Sequence, residues 1–262
     1  MKTILDTIVA NKKKEVELLK NTNNYKFYEQ QDSFSRTCYS LKEQLINQEF
    51  GIIAELKRKS PSAGMINENL DISKQGIIYQ NCGVAGISCL TDTAFFGGKV
   101  DDLIELRKAV QIPILRKEFI IDEFQLFESK AIGADAILLI AEILTKEEAL
   151  HLTIIAQQLG LEVIMECHDR KNLSKINEHV DIIGINNRDL HLQKTDIQTS
   201  INLYDFIPES QICISESGLK TYDDLYKIQK TGFQGALIGE SILSNQNPQA
   251  FIESLSFKKM QL

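Results

Sequence analysis

"IIAELKRKSPSAG" occupies residues 52–64 and begins as a buried strand, apolar until Glu55 and Lys57 interrupt it. Side chains on a strand alternate between two faces with period two, so this glutamate and lysine point the same way. In a closed barrel one of the two faces is the interior, and a charged pair at the C-terminal end of that face implies a polar mouth.

The same form recurs along the chain. After "GIIAELK" (51–57) come "GISCLTD" (86–92), "IPILRKEF" (112–119), "AILLIA" (136–141), "LEVIMEC" (161–167), "DIIGINN" (181–187), "QICISES" (211–217) and "GALIGE" (235–240). Each run has the length of a buried strand, and longer stretches with helical spacing follow, as at 146–159 and 222–230. Crossover helices force parallel pairing, and eight β-then-α units in a chain near 250 residues fit an α/β fold of the (β/α)8 (TIM) barrel type. An open doubly wound sheet is the alternative. Gly51, Gly86, Gly133, Gly160, Gly232 and Gly235 fall just before these runs, where a helix C-terminus calls for a left-handed residue.

The 262 residues, 43% hydrophobic, are read as a single barrel domain, with residues 1–47 as an N-terminal helical extension outside the eight units. "MKTILDTIVANKKKEVELL" breaks its apolar residues with charges every turn, so it predicts an amphipathic helix and neither a signal peptide nor a membrane span. The run Lys12 to Lys14 reads as that helix's solvated face, and residues 21–36 carry few order signals. The extension is expected to cap the barrel, at its bottom or at its mouth.

A net charge of -7 without a basic cluster excludes the electrostatic footprint of a nucleic-acid or anionic-membrane partner, which leaves a small-molecule ligand. Five scattered cysteines with no CxxC pair fit reduced thiols in a cytoplasmic chain and argue against structural zinc. No leftover apolar surface is evident, so a monomer is expected.

Applied to the other runs, the parity of the first strand sets Lys117 at the end of the third strand and Glu166 at the end of the fifth. Asn186 ends the sixth, with Arg188 two further on, and Glu216 ends the seventh. Barrel active sites form at these C-terminal ends. Any one of these groups alone reads as a solvated loop residue. Together, two lysines converge on carboxylates of three strands, an arrangement that pushes pKa values apart to yield an acid and a base. Three glutamates also suggest magnesium, but two lysines at the same depth repel it and no His or Asp joins at ligand spacing, so no metal is expected. His168, two past Glu166, reads as a solvated loop histidine, and His151, His179 and His191 offer no partner pattern. "SESGL" and "IGES" place Ser217, Gly218, Gly239 and Glu240 after the seventh and eighth runs, the usual phosphate cradle of such barrels, so a phosphorylated substrate is expected.

These residues resemble the indole-3-glycerol-phosphate synthases. "IIAELKRKSPSAG" is similar to that family's E-x-K signature followed by S-P-S and glycine. "LRKEF", "MECHD", "GINNRDL", "ISESGL" and "LIGES" resemble its later motifs in the same order, from Gly51 to the C-terminus.

The resemblance implies a carbon–carbon lyase of tryptophan biosynthesis. It would close the ring of 1-(2-carboxyphenylamino)-1-deoxyribulose 5-phosphate, with loss of carbon dioxide and water and with no cofactor. It also implies Lys117 as general acid, Glu166 as general base, and Lys57 as carboxylate ligand or proton donor to the departing hydroxyl. Glu55 and Glu216 would tune the lysines, while Asn186 and Arg188 would contact substrate and order the neighbouring loop. Ser60 would reach the substrate, Phe96 and Phe119 would flank its aromatic ring, and Gly218, Gly239 and the Glu240 backbone would hold phosphate. Two positions depart from the pattern. Glu118 stands where aspartate is common, which suggests an effect on how Lys117 is held, and Glu240 stands where some members have serine.

Two other readings remain to be separated. Phosphoribosylanthranilate isomerase relies on a cysteine on its first strand and an aspartate on its sixth, where this chain has Glu55-Leu56-Lys57 and Asn186. A non-catalytic ligand-binding barrel would be free to lose the acid and base residues.

Overall fold

The structure, a computed structural model, describes residues 3–189 and 194–257; His191 lies outside the described residues. Eight parallel strands close into a barrel: β1 (Gly51–Leu56), β2 (Gly86–Leu90), β3 (Ile114–Lys117), β4 (Ala136–Ile140), β5 (Glu162–Cys167), β6 (Ile182–Asn186), β7 (Ile212–Glu216) and β8 (Gly235–Ile238). Each pairs with the next and β8 returns to β1, which excludes the open sheet. Three helices precede the barrel: α1 (Ile4–Thr22), α2 (Tyr25–Glu29) and α3 (Leu41–Asn47). Around and after it run α4 (Ile72–Asn81), α5 (Thr93–Phe96), α6 (Val100–Ala109), α7 (Phe124–Ile132), α8 (Lys146–Gln158), α9 (Arg170–Leu173), α10 (Gln198–Tyr204), α11 (Tyr222–Thr231), α12 (Glu240–Leu243) and α13 (Pro248–Leu255). No described helix is long and apolar enough to cross a membrane.

Alternation along the strands separates two apolar cores. Ile53, Leu115, Leu138, Ile164, Ile214 and Leu237 face inward and pack together, while Ala54, Leu56, Cys89, Ile137, Val163 and Ile185 belong to the layer under the helices. Two residues beyond an inward Ile53 comes Glu55, and two beyond an inward Ile164 comes Glu166. The period that fills the barrel therefore also aims its charges.

The extension serves both ends of the barrel. Leu41 and Leu45 of α3 are fully buried in the inner core at the strand N-termini. Glu162, the first residue of β5, fixes that plug by accepting from the backbone of Leu41 (2.8 Å) and Lys42 (2.9 Å) and from Ser40 Oγ (2.5 Å). A carboxylate at a helix N-terminus satisfies its otherwise unpaired amides. The plug also explains half of the expected capping glycines. Gly133, Gly160 and Gly232 are left-handed, with φ of 95°, 71° and 119°. Gly51, Gly86 and Gly235 instead begin strands, and a Cβ on them would lie 2.6, 2.7 and 2.7 Å from side-chain atoms of Leu45, Leu41 and Leu45.

Helix α1 lies at the opposite end, where Ile4, Leu5 and Ile8 line the mouth. Lys12 is not part of a solvated face. It continues the buried stripe Leu5, Ile8, Lys12, Val16, and its ammonium meets Glu118 Oε1 at 2.9 Å, Asp92 Oδ2 at 3.2 Å and Glu15 Oε2 at 2.5 Å. Residues 21–36 are ordered as well: α2 sets Tyr25 and Tyr28 edge-on to Phe124 at 5.1 and 5.2 Å between ring centroids.

Candidate active site

The C-terminal strand tips and the loops beyond them enclose a cavity of about 440 Å³. All the candidates line it: Glu55, Lys57, Ser60, Phe96, Lys117, Phe119, Glu166, Asn186, Arg188, Glu216, Ser217, Gly218, Gly239 and Glu240. They come from seven of the eight strands and the segments that follow. Strand register sets several side by side, with Glu166 level with Gly184 and Asn186 level with Glu216.

The centre of the cavity is an ammonium held by carboxylates. Lys117 Nζ donates to Glu166 Oε2 at 3.0 Å and to Glu216 Oε2 at 2.7 Å, while Lys57 Nζ donates to Glu55 Oε1 at 2.5 Å. Burial works against the charge on Lys117, but Glu166, Glu216 and Glu55 outweigh it and hold the ammonium protonated well above the ordinary lysine range. Burial opposes ionisation of Glu166 too; Lys117 first, then His168 and a hydrogen bond from Asn186, bring its carboxyl down to about 2. Glu216 goes the other way, because burial and the neighbouring Glu166 prevail over Lys117 and push it up to about 7. Glu55 is held below the ordinary range, its burial outweighed by Lys57 and Lys117. Two carboxyls sharing one cation have thus divided, one strongly acidic and one neutral-range.

Space for these carboxylates depends on two glycines. A Cβ on Gly184 would lie 2.2 Å from Glu216 Oε1, and one on Gly239 would lie 2.4 Å from Glu55 Oε1. Gly184 was not among the sequence candidates; its signal is the glycine inside the β-branched run "DIIGINN", where a strand weakens itself only for a close approach. Gly239, expected in the phosphate cradle, also precedes α12, whose first turn has no side-chain cap.

At the tip of β7, Ser217 and Gly218 are both left-handed, with φ of 70° and 76°. For a serine this is strain that surrounding structure must hold. Asn187, another residue absent from the sequence candidates, does so. Its Nδ2 donates to the Ser217 carbonyl (3.0 Å) and Ser215 Oγ (2.9 Å), and its Oδ1 accepts from the backbone and hydroxyl of Ser200. Asn186 Oδ1 accepts from Arg188 N at 3.0 Å, which aims the next loop. Across the mouth, Phe96 and Phe119 stand 6.0 Å apart, tilted by 36°. Ser60 Oγ accepts from Ala63 N at 3.0 Å and shapes the loop after β1, while Arg58 pins that loop to Asp102 and the Gly97 carbonyl.

Glu118 follows Lys117 by one residue and leaves by the opposite face, where it accepts from Thr91 Oγ1 at 2.7 Å and pairs with Lys12, so its effect on how Lys117 is held runs through the strand. One expectation needs correction. His168 is not solvated, since its side chain is only 8% exposed and lies against Glu166. Among the described residues no cluster of His, Cys, Asp and Glu has the geometry to hold a metal ion, because the three glutamates face lysines.

A closed parallel barrel with acid and base groups converging at its C-terminal mouth defines a (β/α)8-barrel enzyme acting on a small molecule. The family model described as indole-3-glycerol phosphate synthase matches residues 5–255. Proteins of that name from Bacteroides thetaiotaomicron and Bacillus cereus are each 40% identical to the chain, over 95% of it and 95% of the former, and over 97% of it and 98% of the latter. The chain belongs to the indole-3-glycerol phosphate synthase family. Among solved structures, tryptophan synthase subunit alpha from Legionella pneumophila superposes with a TM-score of 0.60 over 82% of this chain and 96% of its own, at 14% identity, a likeness of fold alone.

Proposed function

We propose that Lys117 and Glu166 are the general acid and general base of the family's reaction in this chain. The enzyme is a carboxy-lyase of tryptophan biosynthesis, and its substrate is a phosphorylated small molecule. Ring closure joins the ring carbon that bears the carboxylate to the ketone carbon of 1-(2-carboxyphenylamino)-1-deoxyribulose 5-phosphate. Carbon dioxide then leaves, and loss of water gives indole-3-glycerol phosphate.

The observation that carries the assignment is the Lys117 ammonium held between Glu166 and Glu216. Bond formation at the ketone carbon puts negative charge on its oxygen, and a buried ammonium is both the stabiliser and the proton source that charge needs. A carboxylate at about 2 is a poor base while that ammonium stands beside it. Once Lys117 has given its proton away, the chief influence holding Glu166 down is gone and burial weighs more heavily against its charge, so its basicity rises at the moment dehydration requires a proton acceptor. The acid's discharge arms the base.

Lys57, paired with Glu55, binds the substrate carboxylate or protonates the departing hydroxyl. Phe96 and Phe119 flank the aromatic ring, Ser60, Asn186 and Arg188 contact substrate, and phosphate rests on Ser217, Gly218, Gly239 and the Glu240 backbone. The chain acts as a cytoplasmic monomer; no disulfide joins any of the five cysteines, which suits a reducing compartment, and light scattering would test the oligomeric state.

The chain has no tryptophan, so indole emission from product rises over little protein background. Wild type should generate this signal, and Lys117→Ala should lose about a hundredfold or more of kcat. Undiminished kcat would remove Lys117 from the mechanism. Saturable binding of the substrate without turnover by the wild type would favour the non-catalytic barrel.

A further inference from the structure

His168 lies in the loop just after β5, outside the lining of the cavity. Its Nε2 is 3.4 Å from Glu166 Oε1 and its Nδ1 is 3.7 Å from Glu142 Oε2. Both ring nitrogens are buried and, among the described residues, neither has a hydrogen-bond partner. A buried polar atom left unpaired keeps its full desolvation penalty, so two on one ring call for a reason. A carboxylate oxygen nevertheless stands within ion-pair range of each nitrogen, and catalytic hydrogen bonds are often long before substrate binds. The groups facing the imidazole are Glu166 from β5 and Glu142 from the 3-10 turn Ala141–Ile143 after β4. Lys175 fastens that turn by donating to the carbonyls of Ala141 and Leu144, each at 2.6 Å.

We infer that His168 and Glu142 form a proton path that connects Glu166 with solvent. This rests on the reading of Glu166 as the base. The reaction needs a proton from solvent. With its carboxylate ionised, the substrate takes up one proton overall as it becomes product, carbon dioxide and water. The ketone oxygen leaves as water and so receives two protons, while one is returned when a carbon next to it is deprotonated. The returned proton passes from Glu166 Oε2 to Lys117 across 3.0 Å. The missing one comes from solvent, and a route behind Glu166 delivers it even while substrate fills the mouth.

Exposure rises along the line in the required order, from 5% at Glu166 to 8% at His168 and 25% at Glu142. Glu166 presents one oxygen to each side, Oε2 to Lys117 and Oε1 to His168. A proton from solvent reaches Glu142, moves to Nδ1, and the ring releases its other proton from Nε2 to Glu166; a flip of the ring restores the starting tautomer. Only N–H and O–H bonds form and break, and the source is water. His168 acts through Glu166 and is a positioning residue.

The test is steady-state turnover of the intact enzyme with its carboxyphenylamino substrate, followed by indole emission, for wild type, Glu166→Gln, His168→Ala, His168→Gln and Glu142→Gln. His168→Ala should lower kcat tenfold or more with little change in KM and enlarge the solvent deuterium isotope effect on kcat. Added imidazole and methylimidazoles should restore turnover with a rate that depends on their pKa. Glu142→Gln should move kcat the same way. If His168→Ala fails to fold, His168→Gln and Glu142→Gln decide the matter. Wild-type kcat and isotope effect in those variants, beside an inactive Glu166→Gln, would overturn the path while the base reading stands. An active Glu166→Gln would overturn the base reading itself.

Discussion

Replacing Lys12 with methionine keeps an unbranched side chain one atom shorter on α1 and deletes its charge. Lys12 is 4% exposed and faces Glu118 and Asp92, themselves 4% and 1% exposed. Glu118 ionises below the ordinary carboxylate range because Lys12 and Arg116 outweigh its burial. Asp92 Oδ2 has no aligned hydrogen bond, and its 3.2 Å ion pair with Lys12 is what the structure offers that oxygen. Removing one partner of a buried pair costs about 3–5 kcal/mol, since the other charge is left uncompensated. Helix α1 otherwise buries Leu5, Ile8 and Val16, each worth about 1.5–3 kcal/mol when fully buried. The loss is therefore a large share of what docks the helix, and it should appear as local detachment before global unfolding. Lys12→Met should open the Lys13–Lys14 segment to trypsin, lower the urea midpoint, and raise KM, because α1 contributes Ile4, Leu5 and Ile8 to the mouth. Adding Glu118→Gln should recover part of the stability. A Lys12→Met chain that loses less than about 1 kcal/mol and resists trypsin like wild type would refute the claim that this ion cluster holds the helix.

Gly184→Ala should lower kcat far more than it lowers the melting temperature. The new methyl would lie 2.2 Å from Glu216 Oε1, so the carboxylate must shift and its bond to Lys117 through Oε2 is disturbed; a variant with wild-type kcat would show that this placement of Glu216 is not needed. Glu216 also predicts a pH trend. Its carboxyl ionises near 7 in the folded chain against an ordinary 4.5, so between these values the folded state holds a proton that the unfolded state has lost. The stability from this group is complete below about pH 4.5 and drains away as pH rises through 7, by at most about 1.4 kcal/mol per pH unit. Urea titrations from pH 5 to 8 should show that slope in wild type and a flatter one in Glu216→Gln; equal slopes would contradict the assignment.

The gathering of the candidates at one mouth was legible because it follows from arithmetic. Alternation with period two and a barrel that puts every strand's C-terminus at one end are enough to bring Lys57, Lys117, Glu166, Asn186 and Glu216 together. What was not legible depends on contacts remote in the chain. Nothing near Lys12 distinguishes it from Lys13 and Lys14 except that it falls on the stripe of Ile8 and Val16, and its buried partners Asp92 and Glu118 lie 80 and more residues away. His168 looked like a loop histidine because the turn that covers it comes from the end of β4. The glycines at strand starts suggested helix caps because a glycine alone does not say whether it serves conformation or space. For Gly51 and Gly235 the answer is space: it lies in Leu45, a residue of the extension, and at Gly235 also in the neighbouring Gly51 carbonyl.

The tip of β3 shows how closely site and scaffold are joined. Arg116, Lys117 and Glu118 are consecutive, and alternation sends them to opposite sides of the sheet. Arg116 goes outward to α7, where it donates to Glu128 Oε2 at 2.6 Å and Ser129 Oγ at 3.0 Å. Glu118 goes outward to Lys12 of α1, and Thr91 Oγ1 links the two by accepting from Arg116 Nε at 3.1 Å and donating to Glu118 at 2.7 Å. Lys117 alone turns into the barrel. A slip of one residue would exchange the faces, putting an arginine and a glutamate inside and leaving Lys117 against the helices. Buried ion pairs outside the barrel contribute little net stability compared with apolar packing, but they make that slip costly. The outward charges at this tip therefore help to fix the register that aims Lys117 at Glu166, and the same glutamate anchors the helix that closes over them.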